Sequence, residues 1–156
     1  MNAKSSVPVW AKMTPNITDI TAPARASLAA GCEGVAAINT LMSVMGVNLD
    51  TLRPEPSVEG YSTPGGYSSK AVRPIALAKV MAIAQMMKAE FPGAGASLSG
   101  IGGVNTGRDA AEFILLGADT VQVGGSAPAA LAEPAESASR FLSPLVYATQ
   151  PSPAPP

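Results

Sequence analysis

Two short apolar runs, each ending in a glycine-rich turn, constrain this chain more than any other feature. They are Ser99-Gly100-Ile101-Gly102-Gly103-Val104 and, about twenty residues later, Val121-Gln122-Val123-Gly124-Gly125. In parallel α/β proteins ligands gather at the carboxyl ends of strands, and in (β/α)8 barrels a phosphate commonly sits between the loops after the last two strands. Glycine at such a turn lets backbone N–H groups approach phosphate oxygens. The pair therefore points to a barrel built around a phosphorylated cofactor.

The rest of the chain alternates in the same way. Val7 to Met13 is β-prone, Ile20 to Ala30 is Ala-rich with helical spacing, and Gly34 to Ile38 is a small-residue strand ending at Asn39-Thr40. Leu41 to Ala71 is a long connection rich in Gly, Pro and Ser, whose length suggests a functional loop that lids a site. Arg73 to Glu90 carries a helical stripe of Leu77, Val80, Met81, Ala84 and Met87, with Pro74 suited to its first turn. Ala96 to Ser99 is the next strand. Thr106 can cap a helix from Gly107 to Leu116, with Asp109 favourable at its positive end, and Thr120 to Val123 is the last strand. This order implies a parallel sheet with crossover helices. A displacement of 86 residues lays Gly31-Cys32-Glu33-Gly34-Val35 on Gly117-Ala118-Asp119-Thr120-Val121, as successive units of a barrel would be related.

Composition narrows the chemistry. At 156 residues one domain is expected, whereas a complete (β/α)8 barrel needs about 200 residues or more. Ten basic and eleven acidic residues give a net charge of −1, which offers no electrostatic case for nucleic acid or for a membrane surface. The lone cysteine, Cys32, rules out an internal disulfide or a multi-cysteine metal site within these residues, and there is no histidine to act as base or ligand. Cys32 reads as core packing at the start of a buried strand and not as a nucleophile. No apolar run approaches the roughly 18 residues of a membrane span, and MNAKSSVPVW lacks the apolar core of a signal peptide, so the cytoplasm is the expected compartment. From 126 to 156 the chain is mostly Ala, Pro and Ser, and is expected to be a disordered tail.

From spacing alone, Lys12 reads as a solvated lysine at a strand end, Asn39-Thr40 as a turn cap, and either glycine pair as an ordinary tight turn. Five ordered motifs carry more. They are Ala11-Lys12-Met13-Thr14-Pro15-Asn16-Ile17-Thr18-Asp19-Ile20, the strand end Ile38-Asn39-Thr40, GVNLDTLRPEPSVEG, GGYSSKAVRPIAL and SGIGGVNTGRDAAEFILLGA. Together, over roughly Val7 to Val123, they resemble the flavin barrel of the dihydropyrimidine dehydrogenases, above all the bacterial NAD-dependent catalytic subunit. Soluble dihydroorotate dehydrogenases share several of the same turns.

The resemblance implies an α/β fold that is a partial (β/α)8 TIM barrel, about strands five to eight with crossover helices, over residues 1–125. It implies FMN as cofactor, with Lys12 beside the flavin pyrimidine edge and Gly102, Gly103, Gly124 and Gly125 at the phosphate. Ser69 falls in the turn that meets the flavin by its backbone, where the family has glycine; a serine adds a side chain and loses freedom at positive φ. The family also has Cys followed by Ser or Thr where Gly124-Gly125 stands. Asn39 and Thr40 match the pair that meets a uracil or thymine base, whose alternating C=O and N–H edge suits an amide.

The implied reaction is reduction of the pyrimidine 5,6 double bond, a catabolic step. The family's catalytic cysteine matches no residue here and would lie in the other half of the barrel. NAD(P)H, FAD and iron–sulfur clusters would act only through missing segments or a partner subunit. A half-barrel leaves strand edges open to association, so the isolated chain is expected to be marginal, homo-oligomeric or poorly folded, and catalytically silent. The alternatives are a dihydroorotate dehydrogenase fragment, serving biosynthesis, and a non-catalytic remnant.

Overall fold

Four short strands form one parallel sheet, and their order in space repeats their order in the chain. The computed structural model describes residues 6–124; Gly125 and the Ala/Pro/Ser tail lie outside the described residues. The strands are β1 (Trp10–Met13), β2 (Gly34–Ala37), β9 (Ser97–Ile101) and β10 (Thr120–Gln122), in the order β1-β2-β9-β10. Helix α1 (Thr21–Ala29) joins the first two, α2 (Arg73–Glu90) leads into β9, and α3 (Gly107–Leu115) joins β9 to β10. Successive helices pack on one another, α1 on α2 and α2 on α3. An α/β sheet whose strand order never reverses lacks the switch point of doubly wound folds.

The small residues of β2 explain its place at the centre. Gly34, Val35, Ala36 and Ala37 are all buried, with Trp10 to Met13 in register on one side and Ser97 to Gly100 on the other. At Gly34 a Cβ would come within 2.4 Å of the Trp10 indole, so the glycine lets that ring lie across the strand. The core is completed by Phe113, Ile83 and Val80 from the helices, Leu98 from β9 and Ile20 just before α1. The internal offset of 86 carries Thr21–Ala29 onto Gly107–Leu115, and each helix closes with a positive-φ glycine, Gly31 and Gly117.

Three expectations change. Helix α2 buries Ala76, Val80, Ile83 and Met86, while Met81 is 39% exposed. Apolar residues surround this helix almost completely, so packing against the sheet, not periodicity, selects the buried face. Cys32 is only partly buried in the turn before β2, and stays outside the core. The connection after Thr40 is not bare loop but an antiparallel excursion. Strands β3 (Leu41–Ser43) and β8 (Gly65–Tyr67) pair at its base; β4 (Gly46–Asn48) pairs with β5 (Arg53–Glu55), and β6 (Ser57–Val58) with β7 (Tyr61–Ser62).

An ion pair ties α1 to α2. Arg25 Nε and Nη2 donate to Glu90 at 2.6 and 2.7 Å, linking α1 to α2. The guanidinium holds the Glu90 carboxyl below its ordinary 4.5, and the Thr21 hydroxyl and amide hold Asp19 below 3.8. Both native values are depressed, so their contribution is full above those ordinary values and is lost as pH falls through the lowered ones. Both groups are solvent-exposed, which keeps the effect small. Urea melts between pH 7 and 3 are expected to show Glu90→Gln losing less stability on acidification than the parent chain.

Candidate functional site

The carboxyl ends of the four strands open into one cleft of about 300 Å³. Lys12 comes from β1, Asn39 and Thr40 follow β2, Gly102 and Gly103 follow β9, and Gln122 and Gly124 belong to the end of β10. Ser69 closes the side next to the excursion, and Ile38, Val72, Ile101 and Val104 supply apolar wall. Every described residue nominated from the sequence thus faces the same space; Gly125 lies outside the described residues. Cys32 stands at the opposite, amino end of β2.

Backbone geometry explains why the cleft has this shape. The Ile38 amide donates to the Ile101 carbonyl at 3.0 Å and the Asn39 amide to the Met13 carbonyl at 2.8 Å, so the turn after β2 is tied to both neighbours. Gly66 on β8 leaves room for Thr40, since a Cβ there would lie 2.5 Å from the Thr40 hydroxyl. Gly102 and Gly103 have φ of 138° and 69°. A Cβ on Gly102 would meet Ala76 at 2.7 Å, and one on Gly103 would meet the Ser69 carbonyl at 2.8 Å. The glycine pair is therefore required first by the close approach of α2, whatever else the turn holds.

The α3 end of the turn is held by charge. The Thr106 hydroxyl accepts from the Asp109 amide at 3.2 Å, and the buried Asp109 carboxylate accepts from the Asn105 and Thr106 amides at 3.0 Å. Arg73, from the first turn of α2, pairs with the same carboxylate. The cap was legible in the sequence, but the Arg73 partner, thirty-six positions away, was not.

Ser69 adopts φ 80° and ψ −177°, a region occupied almost solely by glycine. Its carbonyl accepts from the Val72 amide at 3.2 Å, opening the 3₁₀ turn Lys70–Val72 that leads into α2. Such a conformation costs a non-glycine residue about 1–3 kcal/mol. Ser69→Gly is accordingly expected to raise the unfolding free energy by about 1–2 kcal/mol, after allowing for glycine's freer unfolded chain. Chemical denaturation checks this, and an unchanged or lower midpoint would contradict it.

Four polar lining residues escaped the sequence reading: Tyr67, Ser68, Asn105 and Gln122. Gln122 was the most accessible of them, because it alternates with Val121 and Val123 on the final strand and so had to face away from them. Its Nε2 donates to the buried Ser99 hydroxyl at 3.0 Å, which also accepts from Thr120 at 2.9 Å. Of the connection from Leu41 to Ala71, Tyr67 to Ser69 line the cleft and the outer ribbons do not.

Among the described residues that line the cleft, Lys12 is the one charged side chain and no carboxylate accompanies it. A cation, several amides and hydroxyls, and apolar wall suit an anionic ligand with a flat, hydrogen-bonding part.

Residues 1–131 match the family model described as dihydroorotate dehydrogenase. The chloroplastic dihydropyrimidine dehydrogenase (NADP(+)) of Arabidopsis thaliana is 78% identical over 123 residues, covering 79% of this chain and 29% of that protein. The PreA subunit of the NAD-dependent dihydropyrimidine dehydrogenase of Escherichia coli K12 is 46% identical over 124 residues, covering 76% and 28%. The chain thus spans less than a third of the length of either relative. A solved dihydroorotate dehydrogenase of Eimeria tenella, in complex with ferulenol, shares the fold, with TM-score 0.55 and 24% identity over 75% of this chain and 28% of that one. Among the described residues no helix is long and apolar enough to cross a membrane.

Proposed function

Since the chain belongs to the dihydroorotate dehydrogenase family, we propose that it is the flavin-and-pyrimidine-binding part of a dihydropyrimidine dehydrogenase. Its four strands are taken as about the fifth to eighth of a (β/α)8 barrel, with the remaining strands supplied from outside residues 6–124. The unreversed strand order and the helix-on-helix succession support that reading.

The observation that carries the proposal is the shared cleft of Lys12 and the Asn39-Thr40 turn. The residues fit FMN: among the described residues the cleft has one cation and no lining carboxylate, and a Cβ at Gly124 would meet none of the described residues within 4 Å. Bound there, FMN would supply a hydride to one carbon of the pyrimidine 5,6 double bond. Lys12 would hold a positive charge where negative charge gathers on the ring system. Asn39 would meet the alternating edge of uracil or thymine with one donor and one acceptor, and Thr40 would orient it. Gly102 and Gly103 would present main chain to the phosphate. The proton for the neighbouring carbon is assigned to a cysteine in the other part of the barrel, and the electrons to NAD(P)H through a partner subunit or further segments.

A chimera tests this. Residues 6–124 replace the aligned stretch of the Arabidopsis enzyme, and the product is assayed with uracil and thymine against dihydroorotate. Reduction of the two bases without dihydroorotate oxidation is expected; activity on dihydroorotate alone would assign the chain to the biosynthetic branch.

A further inference from the structure

Asn16 does not line the cleft, yet its side chain grips the turn that does. Asn16 Oδ1 accepts from the Met42 amide at 2.9 Å, while Nδ2 donates to the Thr40 carbonyl at 3.2 Å and to the Thr14 hydroxyl at 3.2 Å. One carboxamide thus holds the main chain on both sides of Leu41, where the Asn39-Thr40 turn passes into β3. The near side of the same turn is held by the bond from the Asn39 amide to Met13. Asn16 itself sits just past β1, the strand that carries Lys12.

We propose that Asn16 is a positioning residue for the pyrimidine: it fixes the angle at which Asn39 and Thr40 face the cleft and ties that turn to the strand end bearing Lys12. The task needs an acceptor and a donor on one short side chain. Aspartate would offer two acceptors and set a carboxylate against the Thr40 carbonyl; alanine would offer nothing. Asn16, Thr40 and Met42 are all exposed, so water can satisfy the freed groups when the grip is lost. The loss therefore falls on the geometry of the turn and not on the stability of the fold. The positioning role rests on the flavin-and-pyrimidine reading of the cleft; the grip on the turn does not.

Two measurements separate these. In the full ¹⁵N-labelled chain without ligand, Asn16→Ala is expected to speed exchange of the Met42 amide about fivefold to tenfold. Protection at Val35 and Leu98 should be unchanged. Asn16→Asp keeps the acceptor and should leave Met42 near the parent rate. In the chimera, both variants are expected to raise the uracil KM about fivefold or more, from the loss of about one hydrogen bond's worth of orientation, with kcat and FMN affinity within about twofold. Unchanged Met42 exchange in Asn16→Ala would overturn the proposal. So would collapse of Val35 and Leu98 protection in both variants, which would make Asn16 a residue of the fold, or an unchanged uracil KM. If the parent chimera takes up neither FMN nor uracil, the reading of the cleft fails, and Met42 exchange still decides whether Asn16 sets the turn.

Discussion

Replacing Lys12 by methionine in the chimera is expected to slow uracil reduction by about 10²–10³-fold, the usual effect of removing a fixed group that stabilises developing charge. Methionine keeps most of the aliphatic length and removes the ammonium. Among the described residues no other charged side chain lines the cleft to take over its role. The loss should fall on kcat more than on the uracil KM, because Lys12 is assigned to the flavin edge and Asn39-Thr40 to the base. Lys12→Arg, which keeps the charge with a different reach, should recover part of the rate. A Lys12→Met enzyme within about threefold of the parent would show that the lysine is the solvated strand-end residue that spacing alone suggests, since a threefold change is under about 1 kcal/mol.

The largest stability effect is expected at Phe113. Its side chain is fully buried, and Gly100 on β9 exists to receive it: a Cβ at Gly100 would come within 2.5 Å of the ring. Phe113→Ala should cost about 3–5 kcal/mol. That is a large share of the roughly 5–15 kcal/mol that holds an ordinary domain together. At this size it corresponds to a fall in melting temperature of about 10–20 °C. The converse change, Gly100→Ala, should cost about 1–3 kcal/mol by overpacking. The double variant Gly100→Ala/Phe113→Leu should be less destabilised than the sum of its single changes, since the smaller side chain relieves the added methyl. Additive losses would mean that the two residues do not share one packing site.

The strands and helices were legible because each stretch obeys a local rule. Thr106 and Asp109 form the capping box their spacing foretold, and the Ala-rich run from Ile20 became α1. The strand ends were legible for a different reason: parallel topology sends them all to one side, so Lys12, Asn39 and Gly102 had to meet once the strand order was known. Three things were not legible, each because it depends on tertiary packing. The buried face of α2 was one, because its apolar residues surround the axis. The second was the antiparallel excursion, whose pairs join distant residues such as Leu41 and Tyr67 in a stretch dominated by turn formers. The third was the grip of Asn16 on Thr40 and Met42, because a side chain of one loop bonding the main chain of another leaves no periodic trace.

Ser69 shows how a departure from the family can be read physically. The resemblance implies glycine at this turn, and the serine here takes up the glycine conformation, with its carbonyl against Gly103. The surrounding structure imposes that backbone on an unsuited residue.

The most direct test is a crystal structure of the chimera with FMN and uracil bound. The flavin ring should lie beside Lys12, the phosphate against the Gly102-Gly103 turn, and the base against Asn39 and Thr40. A folded chimera in which flavin and base bind away from these residues, or in which the cleft stays closed to both, would contradict the assignment.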